Sequence, residues 1–324
     1  MTIQRRTILA ATAGLAASGT LARPAIAQQR FSSMFVFVPA GPGGGWDGLG
    51  RAIEQASRAA GMVGSFQFEN VGGAGGTVGL PRFVSQRRGR GEAIMVAGAV
   101  MVGSVITNRT PVGIKDVTPI ARMTTEPGVI VVPANSPFQN LQDFLNALRA
   151  NPGAVSVGGG SAGGIDHIIL GLILKALGKN ARDASYVAFA GGGPAQAAIL
   201  GAQVRAGISG VSEFAEQIRA GRLRALATTG ETPSLDGIPT LKASGIDIVM
   251  GNWRGVFGAP GINASQRQAL ADWMTALHGS SQWREILERQ GWDDAFLVGS
   301  AFDEFLRRDH AETEQVLKDI GLAS

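Results

Sequence analysis

Cysteine is absent from the 324 residues. That excludes disulfides, thiolate nucleophiles, cysteine-based zinc sites and a lipid-anchored N-terminal cysteine. Histidine occurs only three times, with no H-x-x-x-H or H-E-x-x-H spacing, so no metal site and no cofactor is expected. No run reaches the roughly 18 unbroken apolar residues of a membrane-spanning helix. An excess of one charge is missing too. Lys and Arg number 29 against 25 Asp and Glu, and three of the basic residues (Arg5, Arg6, Arg23) fall in the first 27 positions, which hold no acid. The 26 against 25 that remain leave a near-neutral chain with no general pull on nucleic acid.

What is present begins with an address. Met1-Thr-Ile-Gln-Arg-Arg-Thr-Ile-Leu9 is a charged start, an Ala/Gly/Thr/Leu stretch follows to about Leu21, and Ala25-Ile-Ala27 has the A-x-A form of a cleavage site. Residues 1–27 therefore read as an export signal cleaved near Ala27, leaving a soluble periplasmic protein. Arg5-Arg6 before Ile8-Leu9 resembles a twin-arginine signal, with an ordinary secretory signal as the alternative.

About 297 residues then remain, which suggests two lobes rather than one core. Glycine, at 47 residues, is roughly twice its usual share. Apolar runs at 34–38, 65–69, 93–97, 129–132, 154–157, 185–189, 204–208, 223–228 and 252–258 read as strands. Helical spacing marks 47–60, a segment through Leu80, 141–148, and most of the chain after 258. The β-α-β-α-β order of the first third implies a parallel sheet with helices on both faces. The expected architecture is α/β, with two lobes of periplasmic-binding-protein type joined by two crossing strands. One lobe holds 28–130 plus 251–324 and the other 131–250, with the ligand in the crevice between them. A single large doubly wound domain is the rival.

Four glycine-rich turns stand between strand and helix: Pro39–Asp47, Gly72–Gly79, Gly158–His167 and Ala190–Pro194. Glycine allows close backbone approach, and a helix N-terminus offers free N–H groups with partial positive charge. Several such turns around one cleft would form an anion site built from main chain, which points to a receptor for a small carboxylate. In the first loop Gly41, Gly43, Gly44 and Gly45 are the expected donors, Trp46 the cover and Asp47 the N-cap by residue type. Gly72–Gly76 lacks the Lys-Ser/Thr of a P-loop and reads as turn glycines or a secondary cleft wall. In the third loop Ser161 and the amides of Ala162, Gly163 and Gly164 are donors. Asp166 and His167 there are either ligand contacts or a cap and a structural histidine. Ala190, Gly191 and Gly192 repeat the design, and Ser209-Gly210 forms the last convergent turn. Glu213 would repel an anion unless it faces away or accepts from a ligand hydroxyl. Trp253 and Arg254 sit at the expected hinge, where Arg254 could pair bidentately with a distal carboxylate or form an interlobe salt bridge.

The ordered set Pro39–Asp47, Gly72–Gly79, Gly160–His167, Ala220-Gly-Arg-Leu-Arg-Ala-Leu-Ala227 and Gly237-Ile-Pro-Thr-Leu241 resembles the tripartite tricarboxylate transporter receptors, the Bug-type solute-binding proteins, over essentially the whole chain past the signal. Gly45-Trp-Asp47 and Asn252-Trp-Arg-Gly255 look closer to the tricarboxylate branch than to the common receptors, which usually carry Thr-Asp in the first loop. The resemblance implies a Venus-flytrap fold that closes on di- or tricarboxylate ligands, citrate-like or aromatic. It also implies delivery to a membrane permease of one large and one small subunit. A monomer and no catalytic residues are expected. The competing expectation is a secreted serine esterase. Gly159-Gly-Ser-Ala-Gly163 is a G-x-S-x-G with Ser161 as nucleophile, and the template needs a later Asp and His, such as Asp303 and His310. A receptor kept as a sensor partner is the third reading.

Overall fold

The structure is a computed structural model and describes residues 30–323. The expected signal and its cleavage site lie outside the described residues.

The chain opens with β1 (Phe31–Val38), α1 (Gly45–Ala59), β2 (Val63–Asn70), α2 (Leu80–Gln86), β3 (Ala93–Gly98), α3 (Ala99–Asn108) and β4 (Thr118–Thr125). It continues with β5 (Gly128–Pro133), α4 (Leu141–Ala150), β6 (Val157–Gly159), α5 (Ile165–Ala176), β7 (Tyr186–Ala188), α6 (Gly192–Leu200), β8 (Ala206–Gly210), α7 (Val211–Arg219) and β9 (Leu223–Thr228). Then come β10 (Arg254–Gly258), α8 (Ala264–His278), α9 (Ser281–Gln290), β11 (Asp293–Val298) and α10 (Ser300–Asp319).

The strands form two sheets. The first has the order β11-β4-β10-β3-β1-β2 and the second β7-β6-β8-β5-β9. Each carries a lobe of a two-lobed α/β fold. The chain passes from the first sheet to the second between β4 and β5, through Glu126 and Pro127, and returns between β9 and β10. Pro127 and Gly251 pair as an isolated antiparallel bridge, so the two crossings lie side by side.

The parallel pairing implied by the β-α-β-α-β order holds for the first three strands, but the full sheet is mixed. β1 runs parallel to β2 and β3, but β10 is antiparallel to β3 and β4, and β11 is antiparallel to β4. The returning chain enters this sheet from the hinge end, which reverses its direction. The second sheet is mixed as well, with β5 antiparallel to β8 and β9.

Local chemistry explains most element limits. In α1 the buried stripe Leu49, Ala52, Ile53 and Ala56 faces the first sheet. Asn140 caps α4 by accepting from the Asp143 amide. Asn263 and Gln266 form a capping box at α8. Gly291 ends α9 in a left-handed conformation, φ 65°. The helix expected through Leu80 instead begins there. Gly73, Gly75 and Gly76 all take positive φ, and the chain turns before α2 can start. The core of the first lobe is aromatic, with Trp273 and Trp283 fully buried. The Trp273 indole donates to Ser57 Oγ at 3.1 Å, so its polar edge is satisfied as its ring is buried.

Candidate functional site

Two of the four glycine-rich loops are closed first by an acidic residue of their own. In the loop from β1 to α1, the Gly43 amide donates to Asp47 Oδ2 at 3.1 Å and Asn70 Nδ2 donates to Asp47 Oδ1 at 3.0 Å. Asp47 is therefore not the N-cap. Gly44 holds that position, and Asp47 reaches back from the first turn, where the helix dipole favours a carboxylate. The loop from β6 to α5 repeats the device: the Gly160 amide donates to Asp166 Oδ2 at 2.8 Å and the Gly163 amide to His167 Nδ1 at 3.2 Å.

His167 accepts at Nδ1 and stacks on Tyr186 with ring centroids 4.2 Å apart, and burial lowers its pKa to about 4. It is a neutral structural residue and does not line the cleft cavity. Tyr186 in turn donates to the Gly160 carbonyl at 2.7 Å.

The two lobes meet around one small cavity of about 50 Å³. Gly44, Gly45 and Trp46 line it from the start of α1. From the second lobe come Ser161 and Asp166, Ala190, Gly191 and Gly192 at the start of α6, and Ser209. Arg254 lines it from the start of β10. Those ten of the sequence-predicted residues are brought together. Pro39, Gly75, Gly76, Val100, Asn252 and Glu213 also line the cavity.

The other predicted residues stand behind or beside it. The Gly41 amide donates across the cleft to the Ala190 carbonyl at 3.1 Å. Gly43 and Asp47 lock their own loop. Ala162 accepts from Ser104 Oγ at 3.3 Å, the Gly163 carbonyl packs on Gly103 of α3, and Gly164 is the N-cap of α5. Trp253, expected at the ligand, faces α10 instead. Its indole donates to Asp309 Oδ1 at 3.0 Å and packs edge-on against Phe302 and Phe305.

Arg254 is the hub of the site. It is 1% exposed. Its Nη2 pairs with Glu126 Oε1 at the first crossing and with Glu213 Oε1 in the first turn of α7, the latter at 3.1 Å. Burial opposes its charge, but Glu126 and Glu213 outweigh that and raise its pKa. The interlobe salt bridge weighed for Arg254 is therefore what the fold contains. Glu126 Oε2 also accepts from the Ser212 amide at 2.8 Å. The pKa of Glu213 is raised by burial and by Glu126, with Arg254, Ser209 and the Gly45 amide opposing the shift. Asp166 rises to about 7, chiefly through burial.

Three glycines make room for this cluster. A Cβ on Gly45 would run into the Arg254 guanidinium, one on Gly192 into the Glu213 carboxylate, and one on Gly210 into the Glu126 carboxylate. Part of the glycine signal thus reports space for buried charges of the protein itself.

The esterase arrangement is not assembled. Ser161 Oγ accepts from the Gly75 amide. Asp303 is held by Arg267 Nη2 at 2.9 Å to both oxygens, and it lines with His310 a separate hollow beside α10. Among the described residues no group of three or more His, Cys, Asp or Glu is placed to hold a metal, and no helix is long and apolar enough to cross a membrane.

Sequence reading missed Glu126, whose only signal was a lone acid before a proline between two apolar runs.

The family model described as the tripartite tricarboxylate transporter family receptor matches residues 57–322. A UPF0065 protein in the tcbD-tcbE intergenic region of Pseudomonas sp. strain P51 is 30% identical over 251 residues, 72% of either chain. A UPF0065 protein in the gbd 5' region of Cupriavidus necator is 27% identical over 327 residues, 99% of this chain and 97% of its own. The structure of the periplasmic binding protein BugD shares the fold, with a TM-score of 0.80 at 22% identity, over 90% of this chain and 98% of that one. The chain belongs to the tripartite tricarboxylate transporter receptor family, whose members are solute receptors and not enzymes.

Proposed function

We propose that this protein captures a small carboxylate between its lobes in the periplasm and hands it to a membrane permease of one large and one small subunit. The lobes of this reading are residues 28–130 with 251–324 and residues 131–250, and the receptor acts as a monomer. The single observation that carries it is the convergence of α1, α5 and α6 N-termini, from both lobes, on one cavity. By geometry the first-turn amides of a helix have no intrahelical acceptor, and they favour an anion. The sites the reading assigns to the guest are the amides of Gly44, Gly191 and Gly192, with Ser161, Ser209 and Arg254 around them.

Closure follows from touching both lobes. A guest held by α1 on one side and α6 on the other stabilises only the shut arrangement, so it shifts the population toward it.

The test is thermal denaturation of the full chain, unfolded and refolded to strip bound solute, with citrate, malate, adipate, terephthalate and amino acids. A ligand at about a hundred times its Kd adds about 2.7 kcal/mol of stability, a Tm rise on the order of 5 °C. If no carboxylate of any kind raises Tm, the receptor reading for this class falls.

A further inference from the structure

The cavity that closes on the guest is acidic. Two carboxylates line it, Asp166 and Glu213, and Glu126 stands directly behind. Among the described residues Arg254 is the one cation lining it, and its Nη2 is already shared by Glu126 and Glu213. A second or third carboxylate brought by a guest would add to a surplus of negative charge in a site shielded from water.

Hydrogen-bond accounting points the same way. Asn252 is 6% exposed and lines the cavity, yet its Oδ1 is buried with no hydrogen-bond partner. Glu213 Oε2 is also buried without one. Buried acceptors are seldom left unmet, so these two oxygens ask for donors from the guest. One donor is outstanding as well: Arg254 Nη1 is buried and unpartnered. The cavity lining thus holds unmet acceptors, Asn252 Oδ1 and Glu213 Oε2, with Asp166 as a further acid. It also holds donors, Arg254 Nη1 and the first residues of α6, against which the Glu213 carboxylate itself lies.

We infer that the guest is a zwitterion, with one carboxylate for Arg254 Nη1 and one ammonium group for the acceptors Asn252, Glu213 and Asp166, rather than a di- or tricarboxylate. This rests on the receptor reading above and narrows its substrate class. An ammonium there satisfies both orphan oxygens and offsets the crowding of acids, since burial raises the pKa values of both Asp166 and Glu213, with Glu213 adding to the rise of Asp166 and Glu126 to that of Glu213.

The experiment uses the full chain, unfolded and refolded to remove bound solute, with calorimetry and thermal denaturation at pH 7.5. The probes are pairs matched by methylene number: β-alanine with succinate, 4-aminobutyrate with glutarate, and 5-aminovalerate with adipate. The uncharged L-α-amino acids and simple alkylamines form two further arms. The expected result is that a zwitterion binds at least tenfold tighter than any dicarboxylate, and that Glu213→Gln and Asp166→Asn each narrow the ratio tenfold. A dicarboxylate that binds as tightly as the best zwitterion overturns the inference and leaves the receptor reading standing. Alkylamines binding as well as the zwitterions overturn the carboxylate half of both. Silence from every probe overturns the inference, and the receptor reading falls with it only if citrate, malate and terephthalate are silent too. If the variants do not fold, the wild-type ratio decides alone. A ratio unmoved in two folded variants overturns the role given to the acidic pair.

Discussion

Glu213 Oε1 stands 3.1 Å from Arg254 Nη2, and this contact joins the first turn of α7 in one sheet's lobe to the first residue of β10 in the other's. Glu126 holds the same nitrogen from the opposite crossing. One guanidinium therefore ties together both hinge segments and the second lobe. Removing it would leave two carboxylates buried without a counter-charge. Truncating one partner of a buried pair typically costs about 3–5 kcal/mol, mostly through the charge left behind. Arg254→Ala should lose stability of that order in denaturant melts at pH 7.5. Arg254→Ala with Glu126→Gln should recover part of it, since the double variant buries less uncompensated charge. A single variant as stable as wild type would show that the cluster is not a structural tie.

The glycine pattern makes a second prediction, about closure. Gly103 lies inside α3, and a Cβ there would strike the Gly163 carbonyl of the other lobe. Within its own helix Ala is better than Gly by roughly 0.5–1 kcal/mol. The first lobe should therefore keep or gain stability in Gly103→Ala while the lobes fail to seat. Small-angle scattering should report a larger radius of gyration than wild type, and ligand affinity should fall about tenfold. Unchanged affinity would mean that α3 and the 160s loop separate in the bound form.

Much of this arrangement could be read from sequence. The runs at 34–38, 93–97 and 129–132 became β1, β3 and β5 because interior strands are apolar through and through, and 223–228 became the edge strand β9, buried along its length except at Arg224. Leu141, Phe144, Leu145 and Leu148 gave α4 because the next residues, Asn151-Pro152, stop a helix. β4 and β11 were not legible. β4 carries Pro119, which argues against a strand. The sheet tolerates it where β10 shifts register between Val256 and Phe257. β11 is an edge strand opening with exposed Asp293 and Asp294 and broken by an irregularity, so it lacks alternation. The ion cluster was illegible for another reason. Glu126, Asp166, Glu213 and Arg254 are far apart in the chain, and only the crossing of two sheets brings them together. Gly45, Gly192 and Gly210 announced close approach, but sequence does not say whether a ligand or an arginine is what approaches.

A third prediction concerns pH. Burial raises Asp166 to about 7, above its ordinary 3.8. Between those values the folded protein holds a proton that the unfolded chain releases, so this group's contribution to stability falls as pH rises from about 4 through 7. His167, lowered to about 4, acts in the opposite sense, and it is common to wild type and variant. Asp166→Asn keeps an oxygen for the Gly160 amide and removes the titration. The variant should match wild type near pH 4 and exceed it by roughly 3–4 kcal/mol at pH 8, measured as the difference between paired denaturant melts. A difference that is flat across pH would mean that Asp166 is charged in the fold at all these values.

The fourth prediction is drawn from the wall behind the hinge. Trp253 precedes Arg254, and its indole N–H donates to Asp309 Oδ1 of α10 at 3.0 Å. Burial raises the pKa of Asp309 to about 6, and this hydrogen bond is the largest influence pulling it back down. Trp253→Phe keeps an aromatic ring against Phe302 and Phe305 but removes the donor. Asp309 should then be harder still to ionise. A hydrogen bond to a charged group is worth about 1.5–3 kcal/mol, and that part of the loss exists only where Asp309 is ionised in wild type, above about pH 6. The packing part of the loss, from the smaller ring, is the same at every pH. The variant should therefore lose about 1–2 kcal/mol more at pH 8 than at pH 4.5. Because Trp253 sits on the segment that leads into β10, the same variant should loosen the crossing. Amide exchange at Gly251 to Arg254 should quicken at pH 8 while exchange in β1 and β3 is unchanged. Equal losses at both pH values would reduce the indole to a packing group, and the hinge would then owe its position to Arg254 alone.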